Sequence, residues 1–178
     1  MTVPLLNAIT TDLLARSVAV LRFNFRGVGR STGIHDAGIA EIDDVAAAVD
    51  HAHDRFPDLD FGIAGWSFGA GTALRWHARD RSDHNYVGIA PGVGPDAGQR
   101  LPNPKALHRV PRTFIVGDRD QLVPAPLVIE YAEQADATVH ILKGSDHFFY
   151  FREQKVACLL AAGLGLPVPA EEIRSACE

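Results

Sequence analysis

The sequence predicts an α/β protein: a mostly parallel sheet of about five strands covered by helices. Three observations predict it. Helical and strand patterns alternate from end to end, the strand runs are short and apolar, and glycine or proline closes nearly every run.

The elements follow in order. Pro4 suits the first turn of a helix, and Leu5, Leu6, Ile9, Leu13 and Leu14 follow it at helical spacing. Val18 to Phe25 reads as an apolar strand, stopped by the glycines of Arg26-Gly27-Val28-Gly29. A second helix carries Ile39, Ile42, Val45, Val49, Ala52 and Phe56 on one face and closes at Pro57. Phe61 to Ala64 is a short buried strand and Phe68 to Ala78 a helix. Tyr86 to Ala90 and Thr113 to Val116 are further strands. A helix over 125–135 precedes the strand Thr138 to Leu142, and a last helix covers 149–162. The whole of 1–178 reads as one domain, with a core over about 4–163 and a loosely attached tail over 164–178.

Composition excludes several classes. Apolar residues at 47% and charged residues at 22% fit an ordinary globular chain of 178 residues. A net charge of −5 argues against a nucleic-acid partner. Arg22, Arg26 and Arg30 read as a solvated loop more readily than as a phosphate patch. No run reaches the roughly 20 apolar residues of a membrane span, and no secretory signal pattern is present. Cys158 and Cys177 are expected as reduced thiols of a cytoplasmic protein. His51, His53, His77 and His84 fall in or beside helices and are expected to be exposed. No metal is expected, because no histidine or cysteine set has zinc spacing.

The chemistry-bearing signal is Gly65-Trp66-Ser67-Phe68-Gly69, directly after a strand and opening a helix. A strained turn at Ser67 would expose its hydroxyl, with glycines on either side to avoid clashes, and would aim the Phe68 N–H at a reacting oxygen. A serine hydroxyl needs a base, and the chain order serine, acid, histidine is supplied by Ser67, Asp120 and His147. Asp120 and His147 each follow a buried strand, so all three loops open on the carboxyl edge of the sheet. Asp118 reads as a turn former, and Asp120 alone would read so too. Asp146 adjoins His147 but is badly placed to orient its ring. Trp66, Arg26 and Gly27 are candidate substrate-binding residues.

The segments Leu21-Arg22-Phe23-Asn24-Phe25-Arg26-Gly27-Val28-Gly29-Arg30-Ser31-Thr32-Gly33, Ala64-Gly65-Trp66-Ser67-Phe68-Gly69-Ala70 and Ser145-Asp146-His147-Phe148-Phe149 resemble small bacterial α/β-hydrolases of the dienelactone-hydrolase and serine-aminopeptidase type. The likeness runs over about 4–160. It implies a three-layer α/β-hydrolase fold and a serine hydrolase acting on small esters, thioesters or lactone-like acyl compounds without a cofactor. The partner expected is a small acyl substrate, with a second copy of the chain a further candidate. In the link from Ala90 to Thr113, Pro91, Gly92, Gly94, Pro95, Pro102 and Pro104 replace the helical lid of many such proteins, so the site is expected to be open.

One departure stands out. Only residues 1–17 precede the first strand, and no His-Gly, His-Pro or Gly-Gly pair occurs in the chain. The strand that would lie between Val18–Phe25 and the serine strand is therefore expected to be missing, with the loop that gives a second oxyanion donor. A lane about 5 Å wide would open in mid-sheet. The expectation is an N-terminally truncated fold.

Overall fold

A computed structural model describes residues 3–93 and 100–177. Helix α1 (Pro4–Ala15) starts at its proline and buries Leu5, Ile9 and Leu13, the 4-residue spacing that makes one stripe. Helix α2 (Glu41–Arg55) buries Val45 and Ala52. Its start lies later than Ile39, which is exposed: the buried carboxylate of Glu41 accepts the backbone N–H groups of Asp36 and Gly38 and holds the chain in a loop there.

Four parallel strands follow: β1 (Gly62–Trp66), β2 (Asn85–Ile89), β3 (Arg112–Gly117) and β4 (Thr138–Leu142), lying in that order across the sheet. Helices α3 (Phe68–Asp80) and α4 (Ala125–Gln134) make crossovers to the next strand, and α5 (Glu153–Gly163) follows β4. Strand alternation divides the two faces. Tyr86 turns towards α3, donating its hydroxyl to the Ala70 carbonyl, and Phe114 stacks edge-on with Tyr131 of α4. Their neighbours Val87 and Thr113 meet α5 instead, at Gly163, where an added Cβ would lie 2.9 Å from both. Helix α5 also carries α1. The result is a helix–sheet–helix sandwich with β2, β3 and α5 at its centre.

Several expectations change. The segment 18–25 is outside the sheet: it alternates in exposure like a strand, but among the described residues no strand lies beside it, so no ladder forms. The sheet thus has four described strands rather than five. It ends at β1, whose Gly62 and Ala64 are exposed rather than buried as expected for 61–64. The tail is no loose appendage either. Helix α6 (Ala170–Cys177) docks on α5 and β4 by burying Ala176, with Leu166, Val168 and Ile173 packed on the core. Finally His77 is 1% exposed, packed between Trp76 and Tyr86, with neither ring nitrogen hydrogen-bonded. Burial, aided by nearby Arg112, pushes its pKa down to about 3. His53 is exposed and His84 half-buried, their Nε2 atoms 3.3 Å apart.

Both cysteines are free thiols. Among the described residues no helix is long and apolar enough to cross a membrane, and no three metal-ligating side chains converge.

Candidate active site

The nucleophile candidate sits where β1 turns into α3. Ser67 has φ 53° and ψ −119°, a strained conformation for a residue with a side chain. Gly65 is what allows it: a Cβ there would lie 2.6 Å from the Ala70 nitrogen. The expected need for the second glycine is not met in the same way. A Cβ on Gly69 would meet only the Phe25 ring, at 3.9 Å, so no backbone presses on that position. Phe68 is the first residue of α3, so its N–H has no acceptor within the helix.

Asp120 and His147 come from the loops after β3 and β4. Asp120 Oδ2 accepts from His147 Nδ1 at 2.8 Å, and Oδ1 accepts the N–H groups of Leu122 and Val123 at 2.9 and 2.8 Å. The turn-forming role and the histidine contact therefore belong to one carboxylate, using different oxygens. With Asp120 as acceptor, Nδ1 carries the ring proton. Nε2 is then free to accept the Ser67 hydroxyl, 2.8 Å away. The aspartate side chain is fully buried and the histidine 6% exposed. The three side chains thus form one hydrogen-bonded line.

Two contacts clamp the acid and histidine loops together. Asp118 Oδ1 accepts the Gly144 N–H at 2.6 Å, and the Arg119 N–H donates to the Ser145 carbonyl at 3.0 Å. Gly117 makes this approach possible, since a Cβ there would collide with the Ser145 carbonyl oxygen. Asp118 is thus a cross-link between loops rather than only a turn residue. Asp146 Oδ1 accepts the N–H groups of Phe148 and Phe149, which commits it to its own turn. That turn, with Phe149 and Phe151 at positive φ, delays α5 to residue 153 rather than 149.

The candidate substrate-binding residues are placed less simply. Trp66 donates its indole N–H to the His147 carbonyl at 3.1 Å and lies against the imidazole. Arg26 gives its backbone N–H, Nε and Nη2 to Asp44, which ties the loop after residue 25 to α2. Gly27 has φ +72° and donates its N–H to Thr32, as a turn glycine does. Arg26 makes no hydrogen bond or ion pair with Ser67, Asp120 or His147 among the described residues. It lines an open groove of about 550 Å³ beside α2 with Arg30 and Phe23.

Residues that the sequence did not single out also border the serine. Phe68 is contacted by Phe25 at 5.3 Å and by His35 at 5.2 Å, and His35 Nδ1 is 2.6 Å from buried Glu41. On the other side Phe148 touches Trp66 and His147 and stacks on Tyr150. Both groups leave aromatic surface exposed. Between β2 and β3 the described residues hold only a short 3₁₀ turn, Pro104–Ala106; the Gly94-Pro95 part of the expected stiff link lies outside them.

This sheet, with its strained serine turn and carboxyl-edge loops, is the architecture of an α/β-hydrolase. Residues 3–107 match the serine aminopeptidase (S33) family, and the chain belongs to it. The matched stretch holds Ser67; Asp120 and His147 lie beyond it. An uncharacterized protein of Rickettsia prowazekii is 31% identical over 155 residues, covering 80% of this chain and 63% of the relative, so the chain spans less than two thirds of that relative's length. An alpha-beta serine hydrolase homologue from Coxiella burnetii superposes with a TM-score of 0.79 at 26% identity, covering 92% of this chain and 77% of the other. A serine hydrolase without a lid from Xanthomonas campestris gives a TM-score of 0.78 at 28% identity, covering 95% and 77%.

Proposed function

We propose that the chain is a serine hydrolase that cleaves a small, accessible ester, thioester or lactone-like acyl compound through an acyl-enzyme on Ser67. The observation that carries this reading is the pair of 2.8 Å contacts running from Asp120 through His147 to Ser67. His147 Nε2 takes the hydroxyl proton as Ser67 Oγ attacks the carbonyl carbon, and Asp120 stabilises the imidazolium that forms. The Phe68 N–H donates to the developing oxyanion. His147 then returns the proton to the departing alcohol or thiol. A water molecule repeats the sequence on the acyl-enzyme, releasing the acid and restoring Ser67.

A second reading, a binding scaffold without turnover, is favoured by one observation. Phe68 supplies one oxyanion N–H, and no His-Gly, His-Pro or Gly-Gly pair exists to form the loop that usually supplies another. Losing one donor costs roughly 10² to 10³ in turnover, which slows an enzyme without silencing it. Hydrolysis of a short-chain p-nitrophenyl ester by wild type and Ser67→Ala separates the two. The hydrolase reading expects the variant to fall to the background rate; equal rates in the two proteins refute it.

A further inference from the structure

Trp66 occupies the position before the nucleophile, where a side chain is readily read as lining for a bound substrate. Its indole N–H is already engaged, donating to the His147 carbonyl at 3.1 Å across 81 residues of sequence. The indole also lies 5.7 Å from the imidazole, centroid to centroid, at an interplanar angle of 34°. Phe148 lies beside this pair, its ring edge-on to both, 6.0 Å from the indole and 5.5 Å from the imidazole.

The anchors of the histidine loop divide into two sets. Asp118 holds Gly144, and the Arg119 N–H holds the Ser145 carbonyl; both belong to the loop that carries Asp120. These fix the distance from His147 to Asp120. Neither fixes the distance from His147 to Ser67. The contact that joins the histidine's own backbone to the serine strand is the Trp66 hydrogen bond. Trp66 is rigidly placed for this, since it ends β1 and pairs with Ile89 of β2, while the Ser67 N–H donates to the Ile89 carbonyl at 2.8 Å.

We infer that Trp66 is a positioning residue, setting the Ser67–His147 distance through the His147 carbonyl while leaving the His147–Asp120 bond to the clamp at Asp118 and Arg119. The inference rests on the triad reading of the site. It makes an asymmetric prediction: loss of the indole N–H loosens one hydrogen bond of the line and spares the other. A misplacement on the scale of 1 Å costs on the order of 10²-fold in rate.

The test compares wild type with Trp66→Phe, which keeps a ring on the imidazole and removes the donor. Labelling by a fluorophosphonate probe and kcat on a p-nitrophenyl ester should both fall roughly 10- to 100-fold, with KM little changed. The low-field proton resonance of the His147 Nδ1–H bonded to Asp120 should persist. Benzothienylalanine at position 66, an indole isostere without the N–H, should give the same result with no change of volume if the phenylalanine variant folds poorly. Unchanged labelling in either variant overturns the inference. So does loss of the low-field resonance, which would make Trp66 a prop for the whole loop. A folded wild-type protein that neither labels nor hydrolyses the ester sinks the triad reading and this one with it. A labelled wild type beside an equally labelled variant sinks this one alone.

Discussion

His77 gives the chain a specific weakness to acid. Its imidazole is 1% exposed, has no hydrogen-bond partner, and protonates only near pH 3 in the folded protein. In the unfolded chain it protonates near 6.5. Because the folded-state value is depressed for a basic group, the unfolded state binds the extra proton. Stability is therefore intact above about pH 6.5 and declines as pH falls towards 3. Each pH unit within that window costs about 1.4 kcal/mol, so pH 5 costs about 2 kcal/mol against pH 7. That is a large share of a domain stability of roughly 5–15 kcal/mol. His84 and His140, also held down by burial, add to the slope, so the variant difference is the informative quantity. His77→Leu removes the titrating ring from an apolar site. Urea unfolding at pH 7, 6 and 5 should show wild type losing about 2 kcal/mol more than the variant between pH 7 and pH 5. Parallel pH profiles for the two proteins would refute the buried, neutral imidazole.

The two elbow glycines should behave differently. Gly65→Ala forces a Cβ to 2.6 Å from the Ala70 nitrogen and should abolish ester hydrolysis, while Gly69→Ala, with its nearest neighbour at 3.9 Å, should keep activity and leave thermal stability within about 1 kcal/mol of wild type. Gly117→Ala drives the Ser145 turn away from β3, so we expect a destabilisation of about 1–3 kcal/mol by denaturant titration together with loss of the His147–Asp120 bond, read as disappearance of the low-field His147 Nδ1–H resonance. Asp120→Asn keeps an acceptor for the Leu122 and Val123 N–H groups but favours the wrong histidine tautomer. Turnover should fall about 10⁴-fold with an unchanged circular dichroism spectrum.

Much of this was legible in the sequence because it is local. The strands around Tyr86, Thr113 and Thr138 announce themselves as short apolar runs, and the serine turn as a strand, two glycines and a helix. The order Ser67, Asp120, His147 needed only the rule that strand ends share an edge. What escaped depends on partners distant in sequence. The alternation of 18–25 and the want of a strand beside it are both legible, yet pairing is a property of two strands, so the run reads as a strand although it joins no ladder. Ile173 and Ala176 make a weak stripe that gains meaning only once α5 and β4 offer a surface. A histidine in a helix is usually exposed, and nothing near His77 signals that Trp76 and Tyr86 enclose it. The Trp66 bond to the His147 carbonyl and the fit of Gly117 against Ser145 are contacts between loops, invisible before the fold brings them together.

The proposed chemistry requires that the Ser67 hydroxyl, deprotonated by His147, be the group that takes up an acyl or phosphonyl moiety. Intact-mass and peptide-mass analysis after reaction with a fluorophosphonate tests it most directly. One adduct per chain is expected, on the peptide bearing Ser67, abolished in Ser67→Ala and strongly slowed in His147→Ala. A folded protein with no adduct, or with its adduct on another residue, would contradict it.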